Sequence, residues 1–325
     1  MDCLRELLST RDVLMVDGAM GTQLFATELE AGDAPERMNL TNPDAIVAVH
    51  ERYIAAGSDI VLTNSFGGTS FRLKLHDLHE QVVEINAAAA ANGRRAADAS
   101  DRKVLVAGSM GPSGELLEPM GSMTMDSAQE AFADQAKGLT QGGADLLWIE
   151  TMSSLEEVEA AVLGAQSVSD LPIVTTFSFD TAGRTMMGVT GTDVAKRFAP
   201  LGVAAVGANC GNNLADTEAA VAQMRAVDPD LLVVSKANAG IPEWHGTDLV
   251  YSGTPEIMGA HAHRLRSAGI NIIGGCCGSG PEHIAFMRQV LDGEVPVPEV
   301  KFVPAEASAA ADVDRTTRRR RRSRG

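Results

Sequence analysis

The stretch INIIGGCCGSGPEHI, residues 270–284, sets Cys276 and Cys277 side by side at the end of an apolar run. The chain has only four cysteines, so half of them occupy adjacent positions. Adjacent cysteines form a strained ring if they bridge each other. That leaves metal ligation, redox chemistry, or two buried thiols of no consequence. A third cysteine, Cys210, ends the run VAAVGANC. Three thiolates meeting at one point would bind a divalent ion and leave its fourth position open, as catalytic zinc sites do. Gly274, Gly275 and Gly278 flank the pair and let the backbone kink. The plain alternative is three small buried hydrophobes. Carboxylates stand at similar places: Asp17 in VDGAMGTQL and Glu150 in LLWIETM.

Such residues need elements to bring them together. Short apolar, β-branched runs recur at 13–17, 59–63, 103–107, 145–150, 172–177, 203–208, 231–235 and 271–273. Each is followed by an Ala-rich stretch of helical period, at 43–56, 81–97, 127–142, 155–167, 193–198, 216–226, 254–267 and 281–291. Helix starts are signalled by TNPD, GTPE and SGPE. Eight strand–helix units predict a (β/α)8 TIM barrel over residues 1–295, with chemistry where the strands end. A doubly wound open sheet is disfavoured, because no dinucleotide-type glycine fingerprint follows the first strand. Cys210 ends the sixth strand and Cys276 and Cys277 end the eighth. Strand ends two apart are roughly 10 Å apart, a gap inward side chains can close. Their joint placement at one barrel edge weighs against the inert reading.

Composition sets outer bounds. A hydrophobic fraction of 45% suits a globular chain with ample core. No apolar run approaches the ~20 residues that span a membrane, and the N-terminus lacks the apolar segment of a secretory signal. Few cysteines without framework spacing suit a reducing, cytoplasmic setting. The formal charge is −16, although the last eleven residues hold seven arginines. The rest of the chain is more acidic still, which argues against nucleic acid as a partner. Residues 296–325, rich in Ala, Pro and Arg, read as a disordered tail.

The motifs DGAMGTQL, GANCG, NAGIP and GGCCG followed by PEHI resemble, in order, those of the homocysteine S-methyltransferases. The resemblance runs from about Val13 to Leu291. It implies that Cys210, Cys276 and Cys277 bind Zn2+, that the zinc binds the homocysteine thiol, and that Asp17 and Glu150 hold the amino-acid end, with Asn209 of the NC motif beside them. LWIET, FSFDTAGRTMMGVT, KANAGIP and YSGTPE look most like bacterial betaine-type members, which implies glycine betaine as donor. Other members use S-methylmethionine, S-adenosylmethionine or methylfolate through a corrinoid, so a separate corrinoid protein is the alternative partner. Two departures stand out: Gly67 occupies a position where animal betaine enzymes carry tyrosine, and Met38 lies near an expected tryptophan.

A trimethylammonium head favours aromatic walls. The chain has two Trp, two Tyr and nine Phe, and of these Phe66, Trp148 and Trp244 lie near strand ends. Packing is the competing role for both tryptophans. Lys236 ends the seventh strand, where it is either a Schiff-base lysine or a loop-stabilising one. GSMGPSGEL reads as a loop over the pocket, and MTM and RTMM as packing. His261 and His263 point different ways on one helix, and Glu156, Glu157 and Glu159 form a solvated face. A homo-oligomer is compatible with all of this. A non-enzymatic zinc or thiol carrier also remains, but it would need neither Asp17 nor Glu150.

Overall fold

Alternation along the strands decides which side chains enter the barrel. The computed structural model describes residues 2–25, 29, 32–180, 183–240, 242–245 and 248–301, with backbone alone for 242–245 and 248–250. Ten strands are found among them: β1 (Leu14–Met15), β2 (Ile60–Leu62), β3 (Leu105–Met110), β4 (Leu146–Met152), β5 (Ile173–Phe177), β6 (Ala205–Cys210), β7 (Leu232–Ala237), β8 (Pro242–His245), β9 (Asp248–Tyr251) and β10 (Ile272–Gly275). Eight of these form one parallel sheet in the order β1-β10-β7-β6-β5-β4-β3-β2. The first and last strands meet. Val16 and Ile60 form a parallel bridge, and Asp59 N–H donates to the Met15 carbonyl at 2.6 Å. The ring is therefore a (β/α)8 barrel, not an open sheet. All eight strand runs and all eight helical stretches named above are present.

One parity faces inward. Leu14, Val16, Ile60, Leu62, Leu105, Ala107, Leu146, Trp148, Val174, Ala205, Leu232, Val234 and Ile272 pack together inside the barrel. The intervening residues, such as Met15, Val61, Val106, Leu147 and Ile273, pack against the surrounding helices. This is the period-2 pleat of a strand buried on both faces. A short helix, Cys3–Leu8, which the sequence reading did not foresee, adds Leu4 and Leu7 to the interior cluster. Burying such a leucine contributes roughly 1.5–3 kcal/mol. Asp2 caps this helix by accepting from Arg5 N–H at 2.9 Å, which fixes where the plug begins.

A second unforeseen element is the antiparallel hairpin of β8 and β9, inserted after β7. It ends at Tyr251, which lies against Gly278, the residue after the cysteine pair that follows β10. Residues 296–301 form no helix or strand. The rest of the expected tail, from 302, and the side chain of Trp244 lie outside the described residues.

Candidate active site

The inward parity continues past the apolar layer and turns polar. Two residues above Ala107, Trp148, Val174 and Val234 come Ser109, Glu150, Thr176 and Lys236. Asn209 on β6 pairs with Lys236 in this tier, and Cys276, of the same parity as Ile272 and Gly274, lies just past the end of β10. An open cavity of about 510 Å³ lies at this end of the barrel. Its lining includes Asp17, Glu150, Lys236, Cys210, Cys276 and Cys277, together with Glu36, Phe66, Ser109 and Thr151.

The three sulfurs converge. All lie within 4.8 Å of one another, and Cys210 Sγ is 3.0 Å from Cys276 Sγ. The backbone is bent to allow this. Cys210 has φ +57° and Thr151 φ +62°, left-handed values that a residue with a Cβ adopts at a cost of about 1–2 kcal/mol. Both residues line the cavity. Gly278 has φ +78°, and a Cβ there would lie 2.3 Å from Tyr251 Cγ; no larger residue fits after the pair. Cys276 N–H donates to the Ala237 carbonyl at 2.9 Å, and Cys277 N–H donates to Asn238 Oδ1 at 3.1 Å.

Crowding sets the ionisation of the cluster. Hydrogen bonds from the Cys210 and Cys276 thiols hold the Cys277 thiol down, to about 3. Bonding to Cys276 pushes Cys210 well above its ordinary value. At Cys276 the bond from Cys210 pulls down, but Cys277 and burial outweigh it and the thiol ends at about 11. A bound divalent ion would take all three as thiolates. Tetrahedral coordination with bonds of 2.3 Å puts sulfurs about 3.8 Å apart. The cluster reaches that spacing with shifts under an ångström, so the donor set fits a thiophilic divalent ion. Among the described residues, this is the group of three or more potential ligands that comes together.

The acids sit beside it. Asp17 is 1% exposed; its Oδ2 accepts Leu62 N–H at 2.7 Å and its Oδ1 accepts Lys236 Nζ–H at 3.2 Å. Burial pushes its carboxyl up to about 6, against the pull of Lys236. Glu150 Oε1 accepts Ser109 Oγ–H at 2.5 Å, and burial raises its pKa as well, again opposed by Lys236. Desolvation works against the Lys236 ammonium, but Asp17, Glu150 and Cys276 outweigh it and raise its pKa. Its ion pair with Asp17 suits a charge-pairing role more than a Schiff-base one, which calls for a neutral amine. A register shift between Ile149 and Met152 on β4 marks an irregularity at Glu150 and Thr151, a common device for re-aiming a side chain at a site.

Two of the expected site residues lie off the cavity. Trp148 is fully buried, with Nε1–H donating to Thr176 Oγ1 at 3.4 Å and its ring 5.8 Å from Lys236 Nζ. It is a floor beam below the polar tier, because it shares parity with the apolar interior. Asn209, 1% exposed, has its polar atoms engaged. Its Oδ1 accepts from Thr151 N–H and Thr176 Oγ–H, each at 2.7 Å. Its Nδ2 donates to Thr151 Oγ1 at 2.6 Å and lies 3.8 Å from Cys276 Sγ. Asn209 therefore ties β4 to the cysteine cluster from behind. Phe66 does line the cavity, and Glu36 beside it accepts Gly67 N–H at 2.7 Å. Tyr251, which the sequence reading passed over, hydrogen-bonds Cys277 and has its own pKa raised by burial and by that sulfur. His261 is buried against Glu218, with Nδ1 and Oε1 2.6 Å apart, and takes no part in the site.

Fold and site together define a (β/α)8 barrel whose mouth joins a thiol cluster to buried acids. A sequence model of the homocysteine S-methyltransferase family matches residues 14–291, and the chain belongs to that family. It is 32% identical to methionine synthases of Mycobacterium leprae and Mycobacterium tuberculosis, over 94% of its own length in each case. It spans 27% of the length of those relatives. Among solved structures it is similar to the metallated homocysteine methyltransferase MmuM from Escherichia coli, with a TM-score of 0.75 and 26% identity over 88% of this chain and 98% of that one. The oxidised form of MmuM gives 0.74 and 28% over the same shares. Among the described residues, no helix is long and apolar enough to cross a membrane.

Proposed function

We propose that this chain methylates the sulfur of homocysteine to give methionine, with zinc held by Cys210, Cys276 and Cys277 and glycine betaine as the methyl donor. The observation that carries the reading is three sulfurs within 4.8 Å of one another in one cavity with two buried acids. A free thiol with a pKa near 8.5 is only a few per cent thiolate at neutral pH. Zinc in this cluster supplies the Lewis acidity that keeps a coordinated thiol deprotonated. The chain's own residues do the positioning. Glu150 offers a carboxylate to the acceptor's ammonium. Phe66 and Glu36, an aromatic face beside a buried acid, suit a small onium cation. In the reaction the acceptor loses its thiol proton, a C–S bond forms and a donor C–N bond breaks. Dimethylglycine leaves as a neutral amine and takes up a proton from water, so no cobalt centre is required for activation.

A second reading has its own support. The mycobacterial relatives are named methionine synthases, and this chain matches only part of their length. In that reading the methyl group arrives on a separate corrinoid protein, and the acceptor chemistry is unchanged. A donor panel with homocysteine and zinc-loaded protein distinguishes the two: betaine, S-methylmethionine, S-adenosylmethionine and methylcobalamin, read as methionine formed. Betaine is expected to give methionine and dimethylglycine in equal amounts. Methionine from methylcobalamin with none from betaine replaces the donor. No methionine from any donor sinks the enzymatic reading and leaves a zinc-thiolate carrier.

A further inference from the structure

Another open cavity, of about 770 Å³, lies at the opposite end of the barrel, where the strands begin. Four arginines from separate parts of the chain line it: Arg11 ahead of β1, Arg102 ahead of β3, Arg266 on the last turn of the helix Pro255–Ser267, and Arg288 on the helix Pro281–Asp292. Like charges gathered in this way repel. Burial, followed by the charges of Arg11 and Arg288, lowers the pKa of Arg102 against the pull of Asp59. Three aspartates answer part of the charge. Asp59 lies beneath and takes Arg11 and Arg102. Asp12 accepts Arg266 Nη2–H at 2.7 Å and Asp292 accepts Arg288 Nε–H at 2.9 Å. The Asp12 side chain is 82% exposed and that of Asp292 44%, so water screens both. Four arginines against three aspartates leave a local positive surplus, in a chain whose net charge is −16.

Helix ends account for some of these donors. Arg266 Nη1–H reaches the Leu291 carbonyl at 2.6 Å, and Arg102 reaches those of Ile54, at 2.7 Å, and Ser58. Basic residues are favoured at helix C-termini for this purpose. The capping does not use the arginines up. Among the described residues, Nε and Nη2 of Arg11 and Nε of Arg102 and of Arg266 make no hydrogen bond. Arg288 Nη1 is buried without a hydrogen bond, 3.6 Å from Asp59 Oδ2. Planar guanidinium groups with spare N–H pairs match the oxygens of a tetrahedral oxyanion. Leu8, Val13 and Leu291 line the same cavity, whose volume falls in the range of small-molecule sites. We propose that this cavity binds a phosphate-bearing small molecule, with the phosphate among Arg11, Arg102 and Arg266 and the organic part against Leu8, Val13 and Leu291. The site stands apart from the methyl-transfer chemistry. It also lies at the face opposite to the one where barrels of this kind commonly hold phosphate.

The test is calorimetric binding and thermal unfolding of the full chain at fixed ionic strength, with inorganic phosphate and phenyl phosphate as probes and chloride as the control anion. Saturable binding is expected for both probes, with a rise in melting temperature of about 4 °C at a hundred times Kd. Phenyl phosphate should bind several-fold more tightly than phosphate, because its ring reaches the apolar wall. The seven arginines among the last eleven residues also attract anions, so every variant keeps that segment. Arg11→Gln and Arg266→Gln should each weaken phosphate by roughly 10-fold or more, the range for a lost hydrogen bond to a charged group. Arg95→Gln removes the same charge outside the cavity, from an exposed pair with Asp44, and should leave affinity within about 2-fold. Arg11→Gln also loosens Asp59, whereas the Arg266 side chain is 39% exposed, so Arg266→Gln carries the test if Arg11→Gln fails to fold. A wild-type protein with no saturable response beyond that to chloride overturns the site. So does phosphate affinity in Arg266→Gln equal to that of wild type, which would assign the anion to the arginine-rich segment. Equal affinity for the two probes overturns the apolar half of the assignment.

Discussion

The two ends of the barrel bury charge in opposite ways. At the N-terminal end Asp59 is fully buried, and its oxygens are taken by groups of the chain. Arg11 and Arg102 donate to Oδ1, Met15 N–H donates to Oδ2 at 2.9 Å, and Arg288 stands 3.6 Å away. Arg102 also donates to the Ile54 carbonyl at 2.7 Å and to the Ser58 carbonyl. At the C-terminal mouth the buried groups are left incomplete. Glu150 has a spare oxygen, Lys236 has spare donors, and three thiols crowd together with strained backbone beside them. The rule that buried polar groups are satisfied applies to both ends. At one end the chain's own arginines and a backbone N–H complete the buried acid, and at the other the buried acid and ammonium are left for a ligand to complete. Around the acids, the first pattern is scaffold and the second is a site.

The largest test of this contrast is removal of a cysteine. Cys210→Ser, Cys276→Ser and Cys277→Ser should each lose most bound zinc. Methionine formation should fall by about 30-fold from thiol ionisation alone, given a pKa near 8.5, and by roughly 10³-fold or more once the sulfur is no longer positioned. Metal analysis and methionine assay check both. Two of the three variants keeping full zinc would show the cluster to be misread. The complementary test is Asp59→Asn at the N-terminal end. Removing the acid leaves partly buried guanidinium groups facing one another, a loss of roughly 2–3 kcal/mol in folding stability by urea unfolding, below the 3–5 kcal/mol of a fully buried pair. Homocysteine affinity of the folded protein should stay within about twofold, well under the 1.4 kcal/mol that marks a tenfold change. A variant that binds homocysteine poorly while unfolding normally would erase the distinction between the ends.

Much of this was legible in the sequence, for physical reasons. Strands buried on both faces must be apolar runs, and helices must follow them, so the eight units announced the barrel. The cysteines were legible because strand ends share one edge of a barrel. The acids were legible as charges where apolar runs stop. What escaped was set by register and by distant chain. Trp148 was expected near the donor, yet it shares parity with Leu146 and so points below the mouth. The same parity carried one step further would have placed Glu150, Ser109 and Lys236 on a single inward tier. Tyr251 and the plug of Leu4 and Leu7 depend on a hairpin and a helix that meet the barrel from outside its repeat. No local pattern encodes such a contact.

The smallest test asks whether incompleteness alone marks a site. His50, on the helix Pro43–Ala55, is fully buried, and neither ring nitrogen has a hydrogen-bond partner. It resembles the mouth in being unsatisfied, but it faces packed chain: a Cβ on Gly93 of the neighbouring helix Val82–Asp98 would lie 3.8 Å from Nε2. Burial lowers its pKa from 6.5 to about 4. The folded protein therefore refuses a proton that the unfolded chain accepts. Stability from the neutral ring is fully present above pH 6.5 and is lost as pH falls toward 4. By pH 5 the loss is about 2 kcal/mol, at 1.36 kcal/mol per unit. Asp17 works in the opposite sense, since its raised pKa makes ionisation weaken the fold as pH rises from about 4 to about 6. His50→Leu should remove the His50 contribution. The drop in unfolding free energy between pH 8 and pH 5 should shrink by about 2 kcal/mol relative to wild type, while homocysteine affinity is unchanged. A variant with the wild-type pH dependence would mean that the ring is protonated or partnered in the folded state. Weaker homocysteine binding would mean that an unsatisfied group can serve the site without a cavity of its own, and the contrast between the two ends would then have to be drawn by distance to the sulfurs rather than by which buried groups are left incomplete.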